Sequence, residues 1–440
     1  MRIIFLIFLI FLNNCSFDNK SGIWKSESGG SQKDDKILRD FKKIQSIDKP
    51  YDVIKRVDTN FIFSIGEPFK TTKWNDIYYE NTNNFKNFSY IDQGKQIIKS
   101  KKLSRFEISK NILFYNDIIF VNDLKGNIIY FSLSNNKKIN KFNFYKKNYK
   151  KIKKKLNVII ENNIIYISDN LGYLYAYDFI KKDIIWAKNY KIPFRSNLKI
   201  KENMLIASNQ NNNLFFFDKT SGDIIKLIPT EETKINNQFI SNITLSNKST
   251  FFLNTYGSLY SINNKNLKIN WFLNLNQSIN LNLANPFAGS QIIFFKDKLA
   301  VSSNDFFYLI NASNGSIIYK KNFSSLIRPI IISDYIFLIS KNDLLISLNL
   351  NDGKILYSHD INQQLSEFLN TKKRKVDYRN FMIINSKIFI FLKNGYVIKL
   401  NINGELEKVD KFLNNFKSKP IIIDGKMIYL NSNNKILIVN

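Results

Sequence analysis

The 440-residue chain has one cysteine, one histidine, 7 prolines and 15 glycines, and its 36 acidic residues are outnumbered by 65 Lys and Arg. The single cysteine, Cys15, leaves no internal disulfide framework, no cysteine-based zinc site and no cysteine-ligated iron–sulfur cluster. The single histidine, His359, excludes multi-histidine metal sites, and Ser-His-Asp chemistry would have to run through it. Apolar residues nonetheless make up 44% of the chain and aromatics 15%, enough for a large core and against global disorder. The length allows two or three domains, or one large all-β fold.

A formal charge of +29 points first to nucleic acid or an anionic membrane surface. The excess is mostly Lys, scattered through a sequence loaded with Asn, Ile, Phe and Tyr, as AT-rich codons would give. A nucleic-acid binder concentrates Arg and aromatics on one face, so no nucleic-acid partner is expected. The densest basic run, Lys146 to Lys155, reads as a solvated loop with an anion-binding patch as the alternative. The cluster Lys372, Lys373, Arg374 and Lys375 has the same solvated reading.

Met1 and Arg2 precede an unbroken apolar stretch, Ile3 to Leu12, which is too short to span a bilayer as a helix and reads as a secretory signal over residues 1–14. Cys15 stands where such a segment is cleaved. With Leu12 three residues before it, the placement resembles the lipobox of bacterial lipoproteins, although Asn13 and Asn14 occupy positions where small residues are usual. The resemblance implies acylation at Cys15. Ser16 in the following position, where an Asp would retain the protein in the inner membrane, implies the outer membrane, facing the periplasm. Residues 15–49 are polar and are expected to tether lipid to globule, more than one acyl chain being needed for stable anchoring.

The remainder is organised by a repeat: a turn residue, alternating apolar positions, then Asp, Asn or Ser six residues on. It reads GNIIYFS from Gly126, GYLYAYD from Gly172, NNLFFFD from Asn212, GSLYSIN from Gly257, DFFYLIN from Asp305, DLLISLN from Asp343, GYVIKLN from Gly395 and NKILIVN from Asn434. Gly, Asn and Asp tolerate positive φ, which tight hairpin turns demand, and each anchor follows another strand-like run. A third strand follows, often entered through a second glycine (Gly222, Gly315, Gly353, Gly404) and carrying an aromatic: Trp186, Trp271, Tyr319 or Tyr357. A fourth strand leads to the next repeat. Four short antiparallel strands in a unit of 38 to 52 residues define a propeller blade, so the fold class is all-β, an eight-bladed β-propeller. The last copy ends at Asn440 without its outer strand. GKQIIKSKKL from Gly94, which copies GKILYSHDI from Gly353, is expected to supply it and close the ring. Residues 50–87 then form an N-terminal extension of the 50–440 propeller, packed beside the closing blade, with Trp74 buried.

GYLYAYDFIKKDIIW, from Gly172 to Trp186, resembles the repeat of the quinoprotein-like propellers. The dehydrogenases of that superfamily carry an adjacent-cysteine disulfide, calcium ligands and a catalytic Asp; the only cysteine here is in the signal region, and no acidic run marks a calcium site. The lipoprotein signal, tether and ring together resemble the BamB-like assembly lipoproteins instead. That resemblance implies a non-enzymatic scaffold without cofactor or metal, whose partners are a BamA-like barrel insertase, other assembly-machine subunits and unfolded outer-membrane chains. IPFRSN from Ile192 matches the loop with which that family contacts the insertase, implying contacts at Phe194, Arg195 and Ser196, with an exposed Phe194 as the apolar anchor. ANPFAGSQ from Ala284 resembles a variant of the same family, and the loop from Pro229 to Asn242, with Glu231 and Glu232, is a further candidate without a motif. The alternative is a propeller enzyme or periplasmic ligand sensor using the central channel. His359 is expected just past the third strand of blade 6, as a surface or strand-end bystander rather than a base.

Overall fold

Each of the eight turn-anchored runs is one strand of a hairpin, and each hairpin gains a strand on either side to make a four-stranded antiparallel sheet. Blade 2, for example, runs from the axis outward through Leu156–Glu161, Ile164–Asp169, Tyr173–Asp178 and Asp183–Asn189. Eight such sheets form an eight-bladed β-propeller, as the repeat implied. The computed structural model describes residues 50–440 apart from 147, 148, 150, 233–238, 277–285, 326 and 413, together with two short strands, Cys15–Phe17 and Trp24–Ser26. Those two strands pair with each other, Cys15 opposite Ser26, in a unit separate from Pro50–Asn440. The signal segment 1–14 and most of the tether lie outside the described residues. Among the described residues no helix is long and apolar enough to cross a membrane.

The middle strands differ from the expected alternation because each blade is sandwiched between two others. Asn127–Ser132 is buried at all six positions, and Ser249–Leu253 at all five. Only the outermost strands show a solvent face, as in Asp183–Asn189, where Trp186 alone is fully buried. The turn chemistry follows the anchors: Gly126, Gly172, Asn212, Gly257, Asp343, Gly395 and Asn434 all have positive φ. Asp305 does not. Its hairpin is one residue shorter, Ser302 pairing with Phe307 where Ser168 pairs with Leu174, so no left-handed residue is required. The residues closing the second hairpin strand act as Asx turns; Asp178 Oδ1, for instance, accepts from the N–H groups of Ile180 and Lys181, both at 2.9 Å.

Adjacent blades dock through the recurring aromatic. A β-bulge interrupts the pairing of the outer two strands in every blade, at Ala176/Tyr177 in blade 2 and Ser261/Ile262 in blade 4. Beside it, the Trp186 ring covers Gly222 of blade 3 and its indole N–H donates to the Lys219 carbonyl at 3.0 Å. Trp271 covers Gly315 of blade 5 and donates to Ala312 at 3.1 Å. Tyr319 and Tyr357 repeat the contact over Gly353 and Gly404.

The ring closes as expected. Gln96–Lys99 pairs antiparallel with Ile436–Val439, Ile98 opposite Ile438, and Lys95 and Asn440 exchange backbone hydrogen bonds of 3.1 and 3.0 Å. The N-terminal extension, however, does not simply flank the closing blade. It crosses the axis and bonds to each blade in turn. Trp74 exchanges backbone bonds with Phe114 of blade 1, the Asn75 amide donates to Ile160 of blade 2, and Asp76 receives Lys199 of blade 3. The Asn81 and Thr82 carbonyls accept from Leu245 and Phe294 of blades 4 and 5, and Asn84 both donates to and accepts from Ile331 of blade 6. Asn87–Phe88 adds a parallel fifth strand to blade 7, and Ile91 donates to Gly425 of blade 8. The innermost strand of each blade leaves a row of unpaired N–H and C=O groups facing the axis, and these contacts satisfy them. Trp74 is buried among Tyr79, Phe85 and Phe88, as expected.

Candidate functional site

The loop carrying Phe194, Arg195 and Ser196 connects the outer strand of blade 2 to the inner strand of blade 3. Phe194 is buried, its ring against Tyr190, Phe215 and Phe217, which corrects the expectation of an exposed anchor. Ser196 is buried too, and its Oγ accepts the Ser208 N–H at 2.7 Å. The reason is a second repeat. Phe239-Ile240-Ser241, Phe323-Ser324-Ser325 and Phe416-Lys417-Ser418 occupy the matching connections, and Phe287 and Ser290 do so with one residue more between them. Phe416 packs on Phe391 and Tyr429, so it wedges blades 7 and 8, while Ser418 accepts from the Leu430 N–H at 2.8 Å and Ser290 from Ser302 at 3.0 Å. Phe and Ser therefore belong to blade assembly, and only the residue between them is free to vary.

At that middle position Arg195 is half-buried. One terminal nitrogen donates to the Phe239 carbonyl at 3.2 Å, and burial lowers its pKa from the ordinary guanidinium value. The bond places it beside Ile240, which is 49% exposed. Arg195 and Ile240, from neighbouring connections on one face, form the pair of bidentate donor and apolar anchor that the sequence assigned to Arg195 and Phe194.

The acidic loop divides similarly. The Glu231 carboxylate accepts from Asn254 (2.9 Å), Ser258 (3.0 Å) and Tyr260 (2.7 Å), and although burial opposes it, these bonds hold its pKa below the usual range. Glu231 pins the loop to blade 4, while Glu232 is exposed. In the basic run, Lys154 is buried, with its amine over the Tyr145 ring, so that segment is not a uniformly solvated loop. His359 lies within the outer strand of blade 6 and is buried; its Nε2 is 3.1 Å from the Asn403 carbonyl and its ring packs with Tyr357 on Gly404. Burial lowers its pKa. It is a packing residue.

The axis is strongly charged. Lys199 and Asp76 form a buried pair at 2.6 Å. Arg328 is buried, donates to the Tyr78 carbonyl at 2.8 Å and lies 3.8 Å from the centre of the Phe85 ring. Lys419, two residues before the inner strand of blade 8, carries its amine 5.7 Å from the Tyr78 ring centre. Burial, and after it the charges of Arg328, Arg379 and Lys110, lower its pKa to about 8. Asp76 is spent on Lys199, and among the described residues no group of three or more His, Cys, Asp or Glu side chains could hold a metal ion.

Ring, bulges and aromatic docking define an eight-bladed β-propeller. The model of the family described as outer membrane protein assembly factor BamB matches residues 141–359, just under half of the chain. Among similar solved structures is BamB from Moraxella catarrhalis, with 12% identity, a TM-score of 0.62, and coverage of 79% of this chain and 99% of that one. The computationally designed Ika8 protein covers the same shares at 8% identity and a TM-score of 0.59. Quinohemoprotein alcohol dehydrogenase from Comamonas testosteroni, at 9% identity and a TM-score of 0.59, covers 84% of this chain and 81% of that one. At such identities these neighbours share the fold. Among curated protein sequences none matches.

Proposed function

We propose that this protein is a non-enzymatic scaffold of the machinery that assembles β-barrels into the outer membrane, lipid-anchored at Cys15 on the periplasmic face. In this reading it docks the barrel insertase through the face bearing Arg195 and Ile240 and helps present unfolded outer-membrane chains. The observation that carries it is the BamB family match over 141–359, which contains that face. The axial crossing by residues 74–91 adds support, because the chain's own backbone and side chains bond to all eight blades. Exposed outer strands such as Ile224–Ile228, whose first four residues face solvent, offer edges to which an extended client chain can add. The fold is shared with dehydrogenases, so the competing reading is a propeller enzyme or ligand sensor. Purifying the protein from membranes and identifying what accompanies it separates the two. The barrel insertase should co-purify, and loss of membrane association on Cys15→Ala should confirm the anchor; quinone-dependent turnover by the pure protein without an insertase would overturn the reading.

A further inference from the structure

Arg328 and Lys419 meet at Tyr78, with their charged groups 5.6 and 5.7 Å from its ring centre, and the charges of Arg379 and Lys110 act on Lys419 as well. Lys110, Arg328, Arg379 and Lys419 come from the connections into, or the starts of, the inner strands of blades 1, 6, 7 and 8. They are held by backbone. The Lys419 N–H donates to the Lys110 carbonyl at 3.0 Å, and Arg379 Nε donates to the Phe416 carbonyl at 3.0 Å. Arg328 is fixed beneath Tyr78 by its 2.8 Å bond. Each guanidinium thereby uses one N–H, and no acceptor is present for the Lys419 amine among the described residues. The nearby acids are occupied elsewhere. Asp76 is bound to Lys199 at 2.6 Å, Glu80 is 3.5 Å from Lys86, and Asp377 is 3.3 Å from Lys393.

Like charges gathered in a partly desolvated place repel one another, and Arg328, Arg379 and Lys419 lose hydration that the chain replaces only in part. The depressed Lys419 pKa is one consequence. A bound anion would reverse both costs, and guanidinium forks with free terminal nitrogens suit the planar or tetrahedral oxygens of carboxylate and phosphate. The exposure of Lys110 and the half-burial of Lys419 and Arg379 leave the cluster open to solvent.

We propose that this cluster is an oxyanion-binding site, in which Lys110, Arg328, Arg379 and Lys419 hold a carboxylate or phosphate group against Tyr78. The site goes beyond the scaffold reading and does not depend on it: a chain that failed to bind an insertase would still bind the anion. The oxyanion has two sources, a free small anion or the C-terminal carboxylate of an extended chain entering the axis. Calorimetric titration of the full chain at fixed ionic strength distinguishes them, using inorganic phosphate, citrate, and one heptapeptide with either a free carboxylate or an amide at its C-terminus. Saturable binding of at least one oxyanion probe at one per chain is expected. Affinity should fall at least about tenfold in Lys419→Gln and in Lys110→Gln, the latter on an exposed side chain that leaves the fold intact, and recover in Lys419→Arg. Binding of the free-carboxylate peptide but not the amide assigns the chain end; binding of phosphate or citrate alone assigns a small anion. The proposal is overturned if no probe binds, or if both glutamine variants bind as the native protein does.

Discussion

Gly222 and Gly315 sit at φ +77 directly beneath indole rings, and a Cβ would come within 2.6 Å of Trp186 or 2.7 Å of Trp271. Gly222→Ala and Gly315→Ala should each cost about 1–3 kcal/mol in denaturant unfolding, through backbone strain and overpacking. Gly66→Ala, with nothing within 4 Å and no positive φ, should stay within about 0.5 kcal/mol of the native protein. The contact loop splits in the same way. Phe194→Ala empties a space against Phe215 and Phe217 and should destabilise by about 3–5 kcal/mol, whereas Arg195→Ala removes one carbonyl bond and should leave the melting curve nearly unchanged. Lys419 makes stability depend on pH with a definite sign. Its folded pKa is about 8 against an ordinary 10.5, so between those values the unfolded chain holds a proton that the folded chain has released, and stability rises with pH. The charged groups facing it are Arg328, Arg379 and Lys110. Unfolding of Lys419→Met measured from pH 7.5 to about 10.5 should lack that rise; an identical pH slope in both proteins would contradict the assignment.

Two elements decide whether the ring holds. The first, Gln96–Lys99, was legible in the sequence because Gly94 to Leu103 repeats the outer-strand pattern that every other blade carries. Ile98→Pro removes a ladder donor opposite Ile438 and reopens an edge, so the variant should melt earlier and self-associate in size-exclusion chromatography. The second, the segment from Trp74 to Ile91, was not legible beyond the burial of Trp74. It has no hydrophobic period, and its work is done by backbone carbonyls and by the amides of Asn75, Asn83, Asn84 and Asn87, which do not stand out in a chain this rich in asparagine. Asn83 alone donates to the carbonyls of Ile243 and Ile292, both at 3.0 Å, joining blades 4 and 5. Asn83→Leu should cost about 1–3 kcal/mol by leaving those acceptors without their donor, as read by chemical denaturation. The Phe-x-Ser connections were written in the sequence as plainly as the hairpins. One copy, at Phe194, resembles a contact motif, and that likeness in a single loop masks the period shared by four.

At the scale of the molecule, blade number, strand order and closure followed from turn residues and aromatic spacing, because the same packing problem recurs at each blade and imposes the same local chemistry. The functional surface did not follow so directly. Whether a side chain in a connecting loop faces its neighbours or solvent depends on how two blades meet, and that is invisible until the ring is assembled; hence Ile240, rather than Phe194, stands exposed beside Arg195. The +29 charge likewise acquires a local meaning at the axis, where Lys110, Arg328, Arg379 and Lys419 gather from positions far apart in the chain. The central claim is that the Arg195 and Ile240 face docks the barrel insertase, and the most direct measurement is the affinity of the purified insertase for the native chain and for Arg195→Glu with Ile240→Ala. The account predicts saturable binding by the native chain and a loss of at least about tenfold in the double variant with an unchanged melting temperature. Equal affinity of the two proteins, or no binding of the insertase to the native chain, would contradict it.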